Sequence, residues 1–234
     1  MFPVNELDPV ERFFLLLLYA PDHTKNFVQP IRGKTWLQKE MYLTSKLISE
    51  LESRTEFDPN LMGSYSEIVE ELEDEFYISN FVERVDDRIK LSLEGKKLAE
   101  AVWIKADERE KKIVAGVKTL LNDMSYWELL GFIYTEYPES AVNSEKRDEV
   151  DARRLDVAVS LFQKGKIPLE MAARIGRQTI DQFKTVLAHR GIDPATVEAK
   201  SILEDKEILE EIEQSKRESE SGEIVSWETI RPSH

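Results

Sequence analysis

The side chains with the clearest chemical role lie in and beside residues 163–192, QKGKIPLEMAARIGRQTIDQFKTVLAHRGI. Amide, hydroxyl and charged groups on the exposed face of a short helix can form hydrogen bonds with base edges in the major groove of DNA. The residues that fit this role are Gln178, Thr179, Asp181, Gln182 and Lys184. Three basic residues nearby would hold phosphates, namely Arg174, Arg177 and Arg190. The alternative is a solvated polar face on a small helical bundle.

The turn between the two short helices of this segment shows how well the sequence fits a helix-turn-helix. Such a turn needs a small residue in the first helix and, four positions later, a left-handed residue, for which glycine is best suited. Ala173 meets the first need, whereas Arg177 stands at the second position and Gly176 comes one place earlier. Phe183 stands where the second helix should be anchored to the core. We therefore expect a helix-turn-helix with an arginine at its turn.

A second group of candidate DNA contacts lies near the start of the helix predicted over residues 34–51, whose apolar residues recur at helical spacing. The polar residues beside its buried face are Lys34, Thr35, Gln38 and Lys39. The alternative is that these four residues merely flank a buried helix face.

The C-terminal segment, residues 201–234, has the composition of a protein-binding tail. It contains ten acidic and four basic residues, so we expect it to be mostly disordered alone and to gain order on binding a basic protein. Its candidate partner contacts are Leu209, Ile212, Ile224, Val225 and Trp227. The alternative for Trp227 is that it docks on the protein's own surface, although tryptophan is typical of interface hot spots.

Residue types that carry out catalysis or bind metals are not arranged in a functional pattern. The three histidines, His23, His189 and His234, lack metal-ligand spacing, and no phosphate loop, dinucleotide glycine pattern or nucleophile elbow is present. We therefore predict a protein that is not an enzyme, with no catalytic residues, no metal site and no cofactor.

Composition narrows the class of protein further. The formal charge of −14 disfavours coating of nucleic acid by the whole surface, because the phosphate backbone rewards positive charge, so any DNA contact must be local. The chain has no cysteine, and its longest apolar run, Phe13 to Tyr19, is too short to span a bilayer. We expect a cytoplasmic protein that does not bind membranes, and both a monomer and a homodimer stay open.

The elements that must position these side chains are mostly helical. Asp8 and Pro9 predict the start of a first, nearly all-apolar helix, and Ser64 with Glu67 predicts a capping box for a later one. In FVERVDDRIKLSL the hydrophobic period changes to two around Asp86-Asp87, which predicts a β-hairpin. Ser125 and Glu128 repeat the capping-box signal for a helix that Pro138 closes.

Several N-terminal blocks, in order, resemble a known group of proteins. The segments GKTWLQKEMYLTSKL, MGSYSEIVEELE, IKLSLEGKKLAEAV and LLGFIYTEYPESAVNSE are similar to the motifs of a poorly characterised group of prokaryotic winged-helix proteins. The resemblance spans about Glu11 to Glu145. It implies a winged-helix fold, and such folds serve DNA binding, dimerisation and protein binding alike.

The C-terminal half resembles a second family. The stretch from Arg153 to Ile192 is similar to a small prokaryotic family of predicted antitoxins, first described as an uncharacterised protein family and often paired with PIN-domain toxins. The tail segment GEIVSWETI resembles the end of RelB-type and Phd-like antitoxins, which mask a ribonuclease toxin. Because the two resemblances imply different toxins, the PIN and RelE classes both stay open.

These observations predict a mainly α protein with a small β-hairpin wing. Residues 1–147 would form a winged-helix domain with a C-terminal helical extension, 148–197 a helix-turn-helix-like three-helix module, and 198–234 an acidic partner-binding tail. The predicted function is that of an antitoxin-like regulator that neutralises a basic toxin through its tail and binds operator DNA. The alternatives are a DNA-binding transcription regulator without a toxin and a non-catalytic interaction scaffold.

Overall fold

The first helix is central to the fold because apolar side chains surround it on nearly every face. In the computed structural model, which describes residues 6–61, 63–200 and 203–221, α1 (Pro9–Tyr19) begins at Asp8. The Asp8 carboxylate accepts hydrogen bonds from the backbone N–H groups of Val10 and Glu11, as the sequence predicts for an N-cap. All six residues from Phe13 to Leu18 are buried.

Eleven further α-helices follow α1 in the described residues. Their bounds are α2 (Lys34–Leu47), α3 (Ser49–Thr55), α4 (Glu67–Ile78), α5 (Leu93–Lys105), α6 (Glu108–Leu121), α7 (Tyr126–Glu136), α8 (Arg147–Gln163), α9 (Leu169–Ile175), α10 (Ile180–His189), α11 (Pro194–Lys200) and α12 (Leu203–Ser221). A short 3-10 helix, Pro138–Ala141, follows α7. The prediction of a mainly α protein is therefore confirmed.

Two antiparallel hairpins complete the described elements. The predicted hairpin is present as β3 (Val82–Val85) and β4 (Arg88–Leu91), and Asp86 and Asp87 both have positive φ angles in its turn. A single bridge between Ile31 and Ile89 adds an extended residue beside β4. A second hairpin, β1 (Asp58–Asn60) with β2 (Gly63–Tyr65), was not predicted.

One predicted helix cap is wrong and another is correct. Helix α4 is capped by Ser66, whose side chain accepts a hydrogen bond from the N–H of Val69, whereas Ser64 belongs to β2 and its hydroxyl is buried. The helix cap therefore lies two residues later than predicted, because β2 occupies residues 63–65. Helix α7 has the predicted capping box of Ser125 and Glu128.

The core is continuous across the three segments that the sequence divides. Buried side chains such as Leu16 in α1, Leu161 in α8 and Ile212 in α12 belong to one hydrophobic cluster. Helix α12 packs against α6 and α2, so residues 203–221, predicted to be mostly disordered alone, form a helix docked on the rest of the chain. Among the described residues, no helix is both long and apolar enough to cross a membrane.

Candidate functional site

Helices α8, α9 and α10 form a compact three-helix unit around the opening sequence segment. Helix α10 starts at the N-cap Thr179, which forms a reciprocal capping box with Gln182. Phe183 and Leu187 are fully buried, and the Phe183 ring contacts the Phe162 ring of α8 with centroids 6.2 Å apart. The predicted anchoring of the second helix through Phe183 is therefore confirmed.

The turn between α9 and α10 has its left-handed residue at the position that the spacing predicts. Arg177 has φ 52°, whereas Gly176 has φ −71° in the ordinary helical region. A Cβ on Gly176 would lie 3.3 Å from the Leu155 Cδ1 atom of α8. The glycine thus permits close packing on α8, while the arginine adopts the conformation usually reserved for glycine.

The predicted base contacts are accessible on the surface of this unit. Gln178 is half-buried, and the other four residues, Thr179, Asp181, Gln182 and Lys184, are exposed. Ile180, in the first turn of α10, is 40% exposed. Residues 147–200 contain ten basic and eight acidic residues, so this unit lacks the strong negative charge of the whole chain.

The three arginines predicted to hold phosphates are all engaged by carboxylates of this chain. Their ion pairs are Arg174 with Glu136 (2.9 Å) and Glu213 (2.6 Å), Arg177 with Asp151 (3.2 Å), and Arg190 with Asp156 (2.7 Å). Lys184 is the one predicted basic contact of this unit without an ion pair to the described residues. A DNA phosphate would therefore compete with an internal carboxylate at each arginine.

Two of the N-terminal candidates face the interior, which contradicts the prediction that they contact DNA. Gln38 is 5% exposed, and its amide donates to the carbonyl of Ser66 and accepts from the Ser66 N–H. Lys39 is 2% exposed and donates to the carbonyl of Ser64 at 2.6 Å. Both side chains satisfy backbone groups where β2 leads into α4, because unpaired buried polar groups are costly.

The other two N-terminal candidates lie at the surface, at the start of α2. Lys34 is half-exposed and forms an ion pair with Glu70 at 3.0 Å, which raises the pKa of its ammonium group through that hydrogen bond. Thr35 is half-buried beside it. Both residues line a cleft between α2 and the β3–β4 hairpin.

The candidate partner contacts fall into two groups. Leu209 and Ile212 are 4% and 0% exposed, because α12 buries them against the chain's own core. This burial contradicts the prediction that these two side chains contact a partner. The remaining three candidates, Ile224, Val225 and Trp227, lie outside the described residues.

A buried carboxylate that no sequence pattern predicted joins α12 to the three-helix unit of α8, α9 and α10. Glu136, at the end of α7, is fully buried and accepts hydrogen bonds from Arg174 of α9 and Lys216 of α12. The hydroxyl of Ser215 donates to the carbonyl of Lys46 in α2. These partners are far apart in sequence, so no local sequence pattern predicts the contacts between them.

Three charged groups are buried in the N-terminal helices: Glu40 and Lys118, which no sequence pattern singled out, and Lys39, which was predicted to contact DNA. Burial raises the pKa of Glu40 well above its usual value, and neither of its carboxyl oxygens has a described hydrogen-bond partner. Burial lowers the pKa of Lys118 to about 8 and that of Lys39 to about 7. Because Glu40 and Lys118 are fully buried and Lys39 nearly so, we assign them to the interior and not to a reactive site.

Comparison with known proteins gives one match. Residues 132–211, 80 of the 234 in the chain, match the model of an uncharacterised protein family (UPF0175). The matched region runs from α7 through the three-helix unit into α12, and it includes the segment Arg153 to Ile192 on which the predicted C-terminal resemblance rests. No curated protein and no solved structure matches the chain.

Proposed function

We propose that this protein is a cytoplasmic, non-catalytic, antitoxin-like regulator whose C-terminal segment binds and neutralises a basic toxin protein. The observation that supports the proposal is helix α12, which has eight acidic and three basic residues over residues 203–221. Its contacts with α6, α2, α7 and α9 hold it in place and leave Glu210 exposed. The segment with Ile224, Val225 and Trp227 follows directly along the chain.

In this arrangement the two parts of the C-terminal segment have different roles. Leu209 and Ile212 anchor α12 on the protein itself, so they act through positioning and not through partner contact. The acidic face of α12 attracts a basic protein, and the apolar residues after it supply the contact area that covers the toxin's site. Neutralisation is then steric masking.

Co-expression with the product of the neighbouring reading frame tests this function. If that product stops growth, the full chain should restore it, whereas the chain without residues 201–234 should not. Trp227→Ala should weaken rescue through loss of a hot-spot side chain, and Ile104→Ala, a change at a 72% exposed apolar residue of α5, is the matched control. Full rescue by the truncated chain would exclude masking by the tail.

A charge reversal tests the electrostatic part of the proposal. Glu210→Lys on the exposed face of α12 should slow association with a basic toxin, because steering depends on the charge facing the partner. Glu108→Lys makes the same change on α6, where the carboxylate side chain is 91% exposed, and should have little effect. Equal effects of both reversals would indicate a dependence on net charge alone.

A second function, operator binding by the helix-turn-helix unit, is favoured by the accessible polar residues of α10. It would let the protein regulate its own synthesis. Lys184→Ala should weaken binding of a duplex from the upstream region and lower the salt dependence of log K by about 1, as expected for one lost phosphate contact. If the protein does not bind the duplex even at low salt, operator binding is excluded and the proposed toxin binding is unaffected. If it binds DNA and neutralises no toxin, a transcription regulator without a toxin partner is favoured.

A further inference from the structure

A cleft of about 620 Å³ lies between the first turn of α2 and the β3–β4 hairpin. This volume falls within the range of sites that bind small ligands, about 300–1,000 Å³. The charged residues that line it are Arg32, Lys34, Arg84 and Arg88 with Glu73, Asp86 and Asp87. The lining therefore has a small excess of positive charge on a chain whose formal charge is −14.

Two arginines stand opposite each other in this cleft. Ile31 and Ile89 exchange two backbone hydrogen bonds of 2.9 Å, so the next residues along, Arg32 and Arg88, are directly opposed neighbours. The close approach of the two segments continues one residue further, because a Cβ on Gly33 would lie 2.8 Å from the carbonyl oxygen of Asp87. Like charges in directly opposed positions destabilise an antiparallel pair unless another group compensates them.

The charges of this pair are not compensated by carboxylates of the described residues. Arg32 donates to the backbone carbonyl of Met124 at 2.9 Å, and Arg88 has no ion pair with a described residue. The other two basic residues of the cleft are paired with carboxylates. Arg84 forms two hydrogen bonds of 2.7 Å with the buried carboxylate of Glu73, and Lys34 is paired with acidic residues of α4. Arg32 and Arg88 are thus the cations left for a ligand.

We propose that this cleft binds a phosphate group between Arg32 and Arg88, carried either by a free nucleotide or by the backbone of a nucleic acid. Guanidinium groups suit this role because their planar N–H groups bind phosphate oxygens in pairs. Helix α2 begins beside the pair without a side-chain cap, so its first backbone N–H groups add donors for the same anion. The site is independent of toxin binding and of the α10 surface.

Titrations with three probes test the site on the full chain. Calorimetry measures binding of pyrophosphate and of ATP, and fluorescence anisotropy measures binding of a labelled duplex of unrelated sequence, all at about 20 mM salt so that screening is weak. For any probe that binds, Arg88→Gln should lower the affinity about ten-fold, because it removes a charge-assisted contact. Lys90→Gln is the matched control, since Lys90 lies two residues along the same strand and is paired with Glu83.

Thermal unfolding gives a second readout. Without ligand, Arg88→Gln should raise Tm because it relieves the repulsion from Arg32. Pyrophosphate at a fixed concentration should raise the Tm of the unaltered chain more than that of this variant. Preference for ATP over the duplex identifies a nucleotide as the source of the phosphate, whereas duplex binding that pyrophosphate displaces identifies a nucleic-acid backbone. Absence of binding by all three probes, or equal weakening by Arg88→Gln and Lys90→Gln, would overturn the proposal.

Discussion

At the scale of single residues, Arg177 occupies a backbone conformation that glycine adopts at lower cost. Its φ of 52° brings its Cβ close to the backbone, which costs about 1 kcal/mol for residues other than glycine. Its ion pair with Asp151 stabilises the fold only slightly, because the arginine side chain is 60% exposed. We expect Arg177→Gly to increase the free energy of unfolding by about 0.5–1 kcal/mol. Urea denaturation measures the change.

A matched variant separates the backbone effect from the lost ion pair. Arg177→Ala removes the same ion pair but keeps a Cβ at the left-handed position, so it should leave stability unchanged or slightly lower. If Arg177→Ala stabilises the protein as much as Arg177→Gly does, the backbone explanation is wrong.

The buried ammonium of Lys39 makes stability depend on pH. Burial lowers its folded pKa to about 7, whereas the unfolded chain keeps the ordinary lysine pKa of 10.5, so the unfolded state binds more protons between these values. The stability associated with Lys39 is therefore present above pH 10.5 and is lost as pH falls through about 7. Lys39→Met should remove this dependence, and the stability of the variant relative to the natural chain should fall as pH rises from about 7 to 9.5.

Unfolding in urea at several pH values measures this difference. Lys118 has a lowered pKa in both proteins, so its contribution cancels. Lys97→Met, a change at a side chain that is 61% exposed, is the control and should follow the natural chain at every pH. Parallel curves for Lys39→Met and the natural chain would show that Lys39 is protonated to the same extent in the folded and unfolded states.

Residue-scale sequence reasoning succeeded where a role depends on near neighbours. The spacing of Ala173, Arg177 and Phe183 defines the turn, and the caps at Asp8 and Ser125 depend on residues within the same helical turn. It failed for the arginines because their acceptors lie 26 to 39 residues away in sequence. It also failed for Gln38 and Lys39, whose burial depends on β2 crossing their helix.

At the scale of elements, Gly116 is the residue that allows α12 to dock. It lies inside α6, where glycine costs about 1 kcal/mol relative to alanine. A Cβ at this position would lie 3.0 Å from the Cβ of Ile208 in α12, which is closer than most real contacts. The glycine therefore reflects close packing between the two helices and not helix stability.

A double-mutant cycle tests this packing. Gly116→Ala alone should destabilise the docked helix or leave stability unchanged, because steric crowding offsets its helix propensity. In the Ile208→Gly background, which removes the Cβ that crowds position 116, the same substitution should stabilise by about 0.5–1 kcal/mol. Hydrogen exchange over residues 203–221 should rise with Gly116→Ala only when Ile208 is present. Additive effects of the two changes would show that the two residues do not interact.

The elements differ in how clearly the sequence announces them. The β3–β4 hairpin was predicted because Ile89 and Leu91 alternate with polar residues around an acidic turn. The β1–β2 hairpin was missed because each strand has only three residues and Pro59 stands inside the first. The helical spacing of Leu209 and Ile212 indicates a helix at α12, whereas its stability as an element depends on a groove that other helices build.

At the scale of the whole molecule, the carboxylate of Glu136 links three parts of the chain that sequence patterns separate. It accepts hydrogen bonds from Arg174 of the three-helix unit and from Lys216 of α12, while α7 itself packs on α8. Because the core is continuous as well, we expect the full chain to unfold in one cooperative transition. Glu136→Gln should lower the free energy of unfolding by about 1–2 kcal/mol. This loss is smaller than that expected on breaking a fully buried ion pair, because water can solvate the partly exposed side chains of Arg174 and Lys216.

Three spectroscopic probes and a control variant make this expectation specific. Far-ultraviolet circular dichroism, tryptophan fluorescence and hydrogen exchange of α9 and α12 should report the same midpoint in the natural chain. In Glu136→Gln the exchange of α9 and α12 should increase before the N-terminal helices unfold, because the shared carboxylate no longer couples them. Asp148→Asn, at an exposed carboxylate of α8, should leave all probes coincident. If the probes already disagree in the natural chain, the three-helix unit unfolds independently and the carboxylate does not join it to the rest.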